Sequence, residues 1–403
     1  MSNRAFLAAA LSALVSVALA CSGSMEASDE RDGGTTRPDA GFGTDSGEPT
    51  PREDGGTTPE EDGGPIPGVD GGPPPADRVP VFVAQGHAGR TVRSCDGGES
   101  WIDDTSDDDA IRCFSDGFDC DHHPGAGKGI VYGRDHFFAT FGWGMPRGVL
   151  RSTDGVTWEP TLEGTTFGGL AYGSGVLVAS ARNARVTEDQ GATWNDAVDT
   201  TLEGWNVRRS AWVNVGATGL FVIVGDGDGG PDVVLSEDGT TWWHPTSFPK
   251  GECGNGVQTE GGIVAGNGTL VIVGGDGMAC RSTDGGRNFT SHRISDGTSS
   301  QAVFDGTHFW VWARGTGYRS ADGASWESMS TTPSVDIGPV AYHPALGRFV
   351  AVRGGWQTWY EGQVFWHSDD GVRWTVAGTF SGGHPIRFVS EGWAPPSDRC
   401  PLP

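Results

Sequence analysis

A short polar turn that ends in an aromatic residue recurs seven times along this chain. Each copy has Ser or Thr, then Asp two residues later, then Gly, and an aromatic residue four or five positions after the Asp. The copies are SCDGGESW from Ser94, STDGVTW from Ser152, TEDQGATW from Thr187, SEDGTTW from Ser236, STDGGRNF from Ser282, SADGASW from Ser320 and SDDGVRW from Ser368. We call these segments the repeat turns. Seven copies of one pattern predict a fold built from seven similar units.

The residue types of the repeat turn predict a structural role. In a tight turn, Asp accepts hydrogen bonds from nearby backbone N–H groups, and Gly adopts a positive φ without strain. The aromatic residue is Trp in six copies and Phe289 in one, and it is expected to bury about 150–250 Å². We therefore interpret the seven acids as structural: Asp96, Asp154, Asp189, Asp238, Asp284, Asp322 and Asp370.

The segments between the repeat turns predict four-stranded antiparallel blades. In GGLAYGSGVLVASARNARVTEDQGATW, for example, two apolar segments separated by a Gly-containing turn precede a third strand and the repeat turn. Residues 79–403 allow about 46 residues per copy, which is the length of a propeller blade. The chain is therefore predicted to be an all-β, seven-bladed β-propeller.

The first repeat turn has only two strands before it, VPVFVAQG and TVRS, and so its blade lacks an inner strand. An unused segment of the right type, PIRFVSEGW, lies near the C-terminus. We expect this last strand to complete the first blade and close the ring, which also removes exposed sheet edges.

The repeat turn resembles the Asp-box, or BNR repeat, and residues 79–403 resemble the β-propellers of the sialidase superfamily and other Asp-box proteins. The resemblance implies that an active member has three arginines for a substrate carboxylate, a Tyr–Glu nucleophile pair, an Asp acid/base and an FRIP-type motif. Here no FRIP motif occurs, and PIRF around Arg387 shares only its letters. Four arginines recur just before repeat turns and are interpreted as scaffold residues: Arg93, Arg151, Arg281 and Arg319.

The family's nucleophile pair has one possible match here, Tyr360 followed by Glu361. Neighbouring side chains on an extended segment point in opposite directions. We therefore expect no catalysis, with a sialidase-like glycoside hydrolase (exo-α-sialidase type) that uses Tyr360 and Glu361 as the alternative.

The N-terminus predicts export. Residues 1–20 combine Arg4 with an apolar stretch that is too short to span a bilayer, as in a signal peptide. The sequence ALAC resembles a bacterial lipobox and implies lipidation of Cys21, with ordinary secretory cleavage as the alternative. Residues 21–78 are acidic and rich in Gly and Pro, which predicts a disordered tether. We expect an outer-membrane lipoprotein or a periplasmic or cell-surface protein that meets the membrane only through its anchor.

The net charge of the chain excludes one class of partner. A formal net charge of −25 argues against nucleic-acid binding, which needs a basic face.

Six cysteines remain besides Cys21, and cysteines of exported proteins usually form disulfides. The predicted blades favour the pairs Cys95–Cys400, Cys113–Cys120 and Cys253–Cys280, with free buried thiols as the alternative.

The predicted topology places all repeat turns on one face and the long loops on the other, where a binding site is expected. The candidate ligand-binding residues of these loops are Trp143, Trp243, Trp356, Trp359, Tyr360, His122 and His123. Packing between blades is the alternative for each aromatic residue. Two acidic strings offer metal ligands, Asp121 with His122 and Asp226 with Asp228, the latter for calcium. We interpret both as ordered polar loops, and expect no metal and no cofactor.

Together these features predict a monomeric, envelope-anchored, non-catalytic propeller that binds a glycan or an extracellular or envelope protein. A scaffold or assembly factor for envelope proteins is a further alternative. Fold alone does not decide between these functions.

Overall fold

The computed structural model describes the propeller over most of the predicted length. The described residues are 75–86, 90–104, 126–142, 148–164, 166–181, 184–197, 202, 205–227, 230–253, 262–274, 277–296, 301–334, 337–353, 363–380 and 386–402. They form seven antiparallel sheets arranged as a ring of blades, which confirms the predicted fold class. The part of the chain described here holds no helix that is long and apolar enough to cross a membrane.

Each blade runs outward from an inner strand at the centre of the ring. Blade 1 contains β1 (Val79–Gly86) and β2 (Thr91–Ser94). Blades 2 to 4 contain β3 (Ala126–Gly133), β4 (His136–Gly142), β5 (Gly148–Ser152) and β6 (Glu159–Glu163); β7 (Gly169–Gly173), β8 (Val176–Ser180), β9 (Arg185–Thr187) and β10 (Asn195–Asp196); and β11 (Asn206–Val215), β12 (Thr218–Gly227) and β13 (Gly230–Ser236). A one-turn helix, α1 (Lys250–Cys253), leads towards blade 5.

Blades 5 to 7 complete the ring. They contain β14 (Ile263–Gly266), β15 (Thr269–Val273), β16 (Met278–Ser282) and β17 (Thr290–Arg293); β18 (Val303–Phe304), β19 (Phe309–Ala313), β20 (Thr316–Ser320) and β21 (Glu327–Ser330); and β22 (Ile337–His343), β23 (Arg348–Arg353), β24 (Gln363–Ser368) and β25 (Thr375–Phe380). The last strand, β26 (Ile386–Ala394), belongs to blade 1.

Ring closure follows the sequence prediction. β26 pairs with β1 from Val79 opposite Ala394 to Gly86 opposite Ile386, so it is the inner strand of blade 1. A backbone bridge between Arg93 and Ile102 supplies the outer edge of that blade, and a bridge between Leu235 and Trp243 does the same for blade 4.

The repeat turns have the hydrogen bonds that their residue types predict. In the turn at Ser320, the Asp322 carboxylate accepts hydrogen bonds from Ala324 N and Ser325 N, both at 2.8 Å, and from Ser320 Oγ at 2.9 Å. Gly323 has a φ of 73° and donates its N–H to Ser320 Oγ. The Asp residues of the other six repeat turns accept hydrogen bonds in the same way.

The repeat turns also join neighbouring blades. A Cβ added at Gly155 in blade 2 would come within 2.5 Å of Val83 in blade 1, so glycine is needed for this close approach as well as for its φ. The aromatic residue of the turn packs across the same boundary, and the ring centroids of Trp101 in blade 1 and Phe365 in blade 7 are 4.3 Å apart. The repeat turns therefore hold the ring together.

Every repeat turn follows the third strand of its blade and lies at the same end as the turn between the first and second strands. We call this side of the ring the turn face and the opposite side the loop face. The loop face carries the connections between second and third strands and those between blades. The two faces are thus distinguished by topology, as the sequence predicts.

Two of the predicted disulfides lie among the described residues. Cys95 and Cys400 are bonded, with a Cα–Cα distance of 5.5 Å, and link blade 1 to the segment that follows β26. Cys253 of α1 and Cys280 of β16 are bonded, with a Cα–Cα distance of 5.7 Å. The predicted Cys113–Cys120 pair and Cys21 fall outside the described residues.

Replacing Asp322 with Ala is expected to lower the free energy of unfolding by about 1 kcal/mol, because three hydrogen bonds at a partly exposed turn are lost. These hydrogen bonds lower the pKa of Asp322 to about 2. Its stabilising effect is therefore present above about pH 4 and disappears as the pH falls towards 2. Denaturant unfolding of both proteins from pH 2 to pH 7 measures this. The control is Asp296→Ala, a carboxylate with 97% side-chain exposure that should change stability little; equal losses in the two variants would contradict the structural role.

Removing the ring-closing disulfide with the double variant Cys95→Ala/Cys400→Ala is expected to cost about 2–5 kcal/mol, since the bond constrains the unfolded chain. The matched control is Cys253→Ala/Cys280→Ala. The first bond closes a sequence separation of 305 residues and the second one of 27, so the first variant should lose more. Thermal unfolding under oxidising conditions compares them, and an equal or smaller loss in the first variant would contradict a ring-locking role.

Candidate ligand-binding site

The seven inner strands surround a central channel. Its cavity of about 540 Å³ is lined by residues of β3, β7, β11, β14, β18, β22 and β26, and so every blade contributes to the wall. This volume lies within the range typical of pockets for small molecules. The channel is therefore the candidate ligand-binding site.

Several inner strands contain an irregularity near the loop-face end of the channel. In β3 the pairing with β4 moves from Gly127 to Gly129, which leaves Lys128 as an extra residue. In β11 it moves from Val207 to Arg209 and leaves Arg208, and in β26 it moves from Ile386 to Phe388 and leaves Arg387. A fourth irregularity, in β22, contains Gly338 and Pro339.

A β-bulge of this kind redirects a side chain and is common beside functional sites. Three of the four irregularities carry a basic residue, although the chain as a whole is strongly acidic. We call Lys128, Arg208 and Arg387 the bulge cations.

The sequence around Lys128 explains why its strand bulges there. A Cβ added at Gly127 would lie 2.9 Å from the Gly86 carbonyl oxygen and 3.0 Å from Gln85 Oε1. β3 and β1 therefore approach each other at this level more closely than a side chain at position 127 would allow. Glycines on both sides of Lys128 let the backbone adopt this geometry.

The bulge cations influence one another electrostatically. Burial, together with the positive charges of Arg208 and Arg387, lowers the pKa of Lys128 to about 8. Arg208 is paired with Asp226 of β12, with 2.8 Å between Nη2 and Oδ2. The adjacent Arg209 lies over the Phe388 ring, 5.2 Å from its centroid, and lines the channel together with Lys128. Four basic residues from three blades thus lie near this end of the channel, and two of them, Lys128 and Arg209, line it.

Further from the loop face, the channel wall is lined by hydroxyl, carboxyl and aromatic side chains and no longer by basic ones. Ser210 and Ser390 come next along their strands, followed on β26 by Glu391, whose pKa is raised by burial. Towards the turn face, aromatic side chains from five blades line the wall. These residues, the aromatic collar, are Tyr132, Tyr172, Trp212, Phe304 and Tyr342.

Most of the loop residues that the sequence nominated fall outside the described residues. This holds for Trp143, Trp356, Trp359, Tyr360, Glu361, Asp121, His122, His123 and Asp228. Their roles stay predictions.

Two nominated residues are described. Trp243 is half-buried, packs against the core between blades 4 and 5, and has the Arg287 guanidinium 5.8 Å from its ring centroid. The Asp226 carboxylate, nominated as a calcium ligand, is paired with Arg208, and the calcium alternative stays untested.

The four arginines that precede repeat turns are spread around the ring, as expected for scaffold residues. Arg93 Nη1 donates to Asp154 O at 3.0 Å, Arg151 Nη1 donates to Gln190 O at 3.0 Å, and Arg281 Nε donates to Asp322 O at 2.6 Å. Each acceptor belongs to the repeat turn of the following blade. Arg319 pairs with Glu327 within its own blade.

Sequence reasoning missed the bulge cations. Lys128 is not among the residues that the sequence nominates, and Arg387 enters the sequence analysis only through the letters PIRF. The sequence Gly-Lys-Gly at 127–129 was the available signal, because glycine within a strand often marks a bulge. Arg208 has no comparable signal.

No family model matches the sequence, and no curated protein matches it. Similar solved structures include one described as YCF48 bound to D1 peptide, with 18% identity, coverage of 62% of this chain and 79% of that one, and a TM-score of 0.43. YCF48 from Cyanidioschyzon merolae has 14% identity, coverage of 77% and 97%, and a TM-score of 0.43. Citrobacter koseri AztD has 9% identity, coverage of 79% and 98%, and a TM-score of 0.49. At these values the likenesses carry no functional argument.

Replacing Lys128 with Met is expected to raise the free energy of unfolding at pH 7 by about 1–3 kcal/mol, because a poorly solvated charge beside two guanidinium groups is removed. The pKa of Lys128 is lower in the folded protein, at about 8, than its ordinary value of 10.5. The destabilisation is therefore complete below pH 8 and vanishes as the pH rises towards 10.5. Denaturant unfolding at pH 7 and pH 10 measures this. Arg134→Met, at an exposed position on the turn face, is the control; a Lys128→Met variant less stable than the wild type at pH 7 would contradict the electrostatic assignment.

Proposed function

We propose that the protein is a non-catalytic binding propeller that takes a glycan or a protein ligand on its loop face and is held at the cell envelope by a lipid on Cys21. The observation that carries this proposal is the set of three bulges that bring Lys128, Arg208 and Arg387 to the loop-face end of the channel.

The grouping of the bulge cations is difficult to explain on structural grounds alone. A bulge interrupts the strand ladder, and like charges in a partly buried place repel each other. Arg208 has an ion pair with Asp226, but the three cations still lower the stability of one another's charged forms. Local conflicts of this kind are expected at functional sites.

The charges of the channel wall support binding rather than hydrolysis. Among the described residues that line the channel, Glu391 is the one carboxyl group, and Asp226 is paired with Arg208 outside that lining. Glycoside hydrolysis ordinarily uses two carboxyl groups with different roles. The described wall therefore offers cations for recognition and a single acid.

One observation favours the alternative function, a sialidase-like glycoside hydrolase. Arg208, Arg209 and Arg387 belong to strands that reach the same end of the channel, and a substrate carboxylate is ordinarily bound by arginines. Catalysis would then rest on Tyr360 and Glu361.

A glycan array and a peptide array probed with the full-length chain test the proposal. We expect the wild type to bind members of one array, and Lys128→Gln to weaken that binding at least tenfold because one of the grouped charges is lost. Arg134→Gln, which removes the same charge from the turn face, is the matched control. Binding that Lys128→Gln leaves intact would contradict a site at the channel end.

A fluorogenic sialoside separates the two functions. We expect no turnover by the wild type. Turnover that is lost in Tyr360→Phe and in Glu361→Gln would establish the hydrolase and overturn the non-catalytic proposal.

A further inference from the structure

Ionisable side chains take part in the contact that closes the ring. We call the contact between blade 7 and blade 1 the closing boundary; its apolar core includes Ala341 of β22 and Val389 of β26. At three other boundaries an arginine donates to a backbone carbonyl of the next repeat turn. At the closing boundary, Arg348 of β23 pairs with the Glu99 carboxylate of the first repeat turn, with 3.0 Å between Nη1 and Oε1. The strength of this boundary therefore depends on protonation.

His343 is buried at the closing boundary. It is the last residue of β22 and is 1% exposed. Its ring packs edge to face with Phe82 of β1, with 5.7 Å between the ring centroids, and with Trp393 of β26, with 5.2 Å. Its Nε2 atom lies 3.2 Å from the Gly392 carbonyl oxygen of β26. One side chain of blade 7 thus contacts both of the strands that pair to close the ring.

We propose that His343 makes ring closure sensitive to acid: proton uptake by its imidazole separates β22 from β26 and opens the closing boundary, while the boundaries between the other blades stay closed. This inference goes beyond the proposed function and is independent of it, because it concerns no ligand.

The hydrogen bond at His343 fits the neutral imidazole. The Gly392 carbonyl is an acceptor, so Nε2 carries the proton and Nδ1 carries none. Within the described chain, Nδ1 is buried and has no hydrogen-bond partner. Protonation would add an N–H donor and a positive charge there, and a buried charge without a partner is strongly destabilising. Burial accordingly lowers the pKa of His343 to about 4, although the hydrogen bond to Gly392 opposes the shift.

No group around His343 compensates such a charge. β1 holds no ionisable side chain. Those at the same end of the other surrounding strands are Tyr342 of β22, Arg348 of β23, Glu391 of β26, and Tyr132 of β3, whose ring packs on Gly392. None of them is hydrogen-bonded to or ion-paired with His343 in the described chain. Glu391 is the one carboxyl group among them, and burial raises its pKa, which favours its uncharged form at acid pH.

A second histidine lies at the same boundary. His367 of β24 packs against the first repeat turn, and a Cβ added at Gly98 would lie 3.3 Å from the His367 Cβ. Burial, together with the positive charge of Arg348, lowers the pKa of His367 as well. The Cys95–Cys400 bond, in contrast, holds the segment after β26 to blade 1 regardless of this titration. Acid therefore weakens the contact between blades 7 and 1 and leaves β26 paired within blade 1.

The direction of the pH effect follows from these shifts. A histidine ordinarily has a pKa of 6.5, and His343 in the closed ring has a pKa of about 4. The closing boundary is therefore stable above pH 6.5 and loses stability as the pH falls towards 4, because the open form takes up the proton. Between pH 7 and pH 4.5, this difference shifts the equilibrium towards the open form by about 80-fold.

Hydrogen exchange of the full-length chain, followed by mass spectrometry at pH 7 and pH 4.5, tests this inference. After correction for the intrinsic effect of pH on exchange, we expect peptides that cover β22 and β26 to exchange at least tenfold faster at pH 4.5. Peptides that cover β8 and β12, in blades 3 and 4, should keep their protection, because His343 is the one fully buried histidine of the described chain.

Substitutions at His343 identify the group that takes up the proton. His343→Phe keeps an aromatic ring and has no site for a proton, so it should remove most of the gain in exchange at pH 4.5. His343→Gln is uncharged, can still donate to the Gly392 carbonyl, and should give the same result if the Phe variant does not fold. The control is His244→Phe, at a side chain that is 47% exposed, which should exchange as the wild type does. Thermal unfolding at pH 7 establishes that each variant is folded.

Three results would overturn the inference. The first is a wild type in which β22 and β26 gain no exchange at pH 4.5. The second is an equal gain in the wild type and in the folded His343 variants. The third is a loss of protection in all blades at the same pH, which would indicate unfolding of the whole propeller and not the opening of one boundary.

Discussion

The contacts that the repeat turns make with the neighbouring blades are the interaction on which the ring depends. The acid of the turn satisfies its own backbone, as Asp322 does, so the turn is rigid without further support. Glycine lets the turn approach the preceding blade, as Gly155 approaches Val83. An arginine from that preceding blade reaches the turn carbonyl, as Arg93 reaches Asp154. Closing the ring then requires only that β26 pair with β1, and the Cys95–Cys400 bond fixes that pairing.

Because these bonds lie on one face, the other face is free to depart from regular structure. The bulges at Lys128, Arg208 and Arg387 occur where the inner strands end towards the loop face, away from the repeat turns. Each interrupts the strand pairing at a single position. Concentrating cations there costs stability, which the rest of the ring offsets. A rigid scaffold that carries irregular segments at one end is common in proteins that place function on loops.

The sequence was sufficient to predict the architecture, because the repeat turn is a local signal that recurs with a regular spacing. The closing strand and the Cys95–Cys400 pair followed from counting strands in the first blade. The bulge cations could not be predicted from the sequence, for a physical reason. Lys128, Arg208 and Arg387 come from three distant parts of the chain, and a bulge shifts the direction of a side chain by one position. Local alternation of polar and apolar residues does not reveal such a shift, and Arg387 in particular looked fortuitous. Trp243 illustrates a different limit. The sequence nominates it for ligand binding, with packing between blades as the alternative, and in the structure it is half-buried against the core.

The chain enters and leaves the propeller on the same side. Val79, where β1 begins, lies opposite Ala394, where β26 ends, and Cys400 follows shortly after. Arg78 is held there by the Asp135 carbonyl in the turn between β3 and β4. The described chain therefore begins and ends on the turn face, the side opposite the loop-face end of the channel, which leaves the loop-face opening clear of both ends of the described propeller.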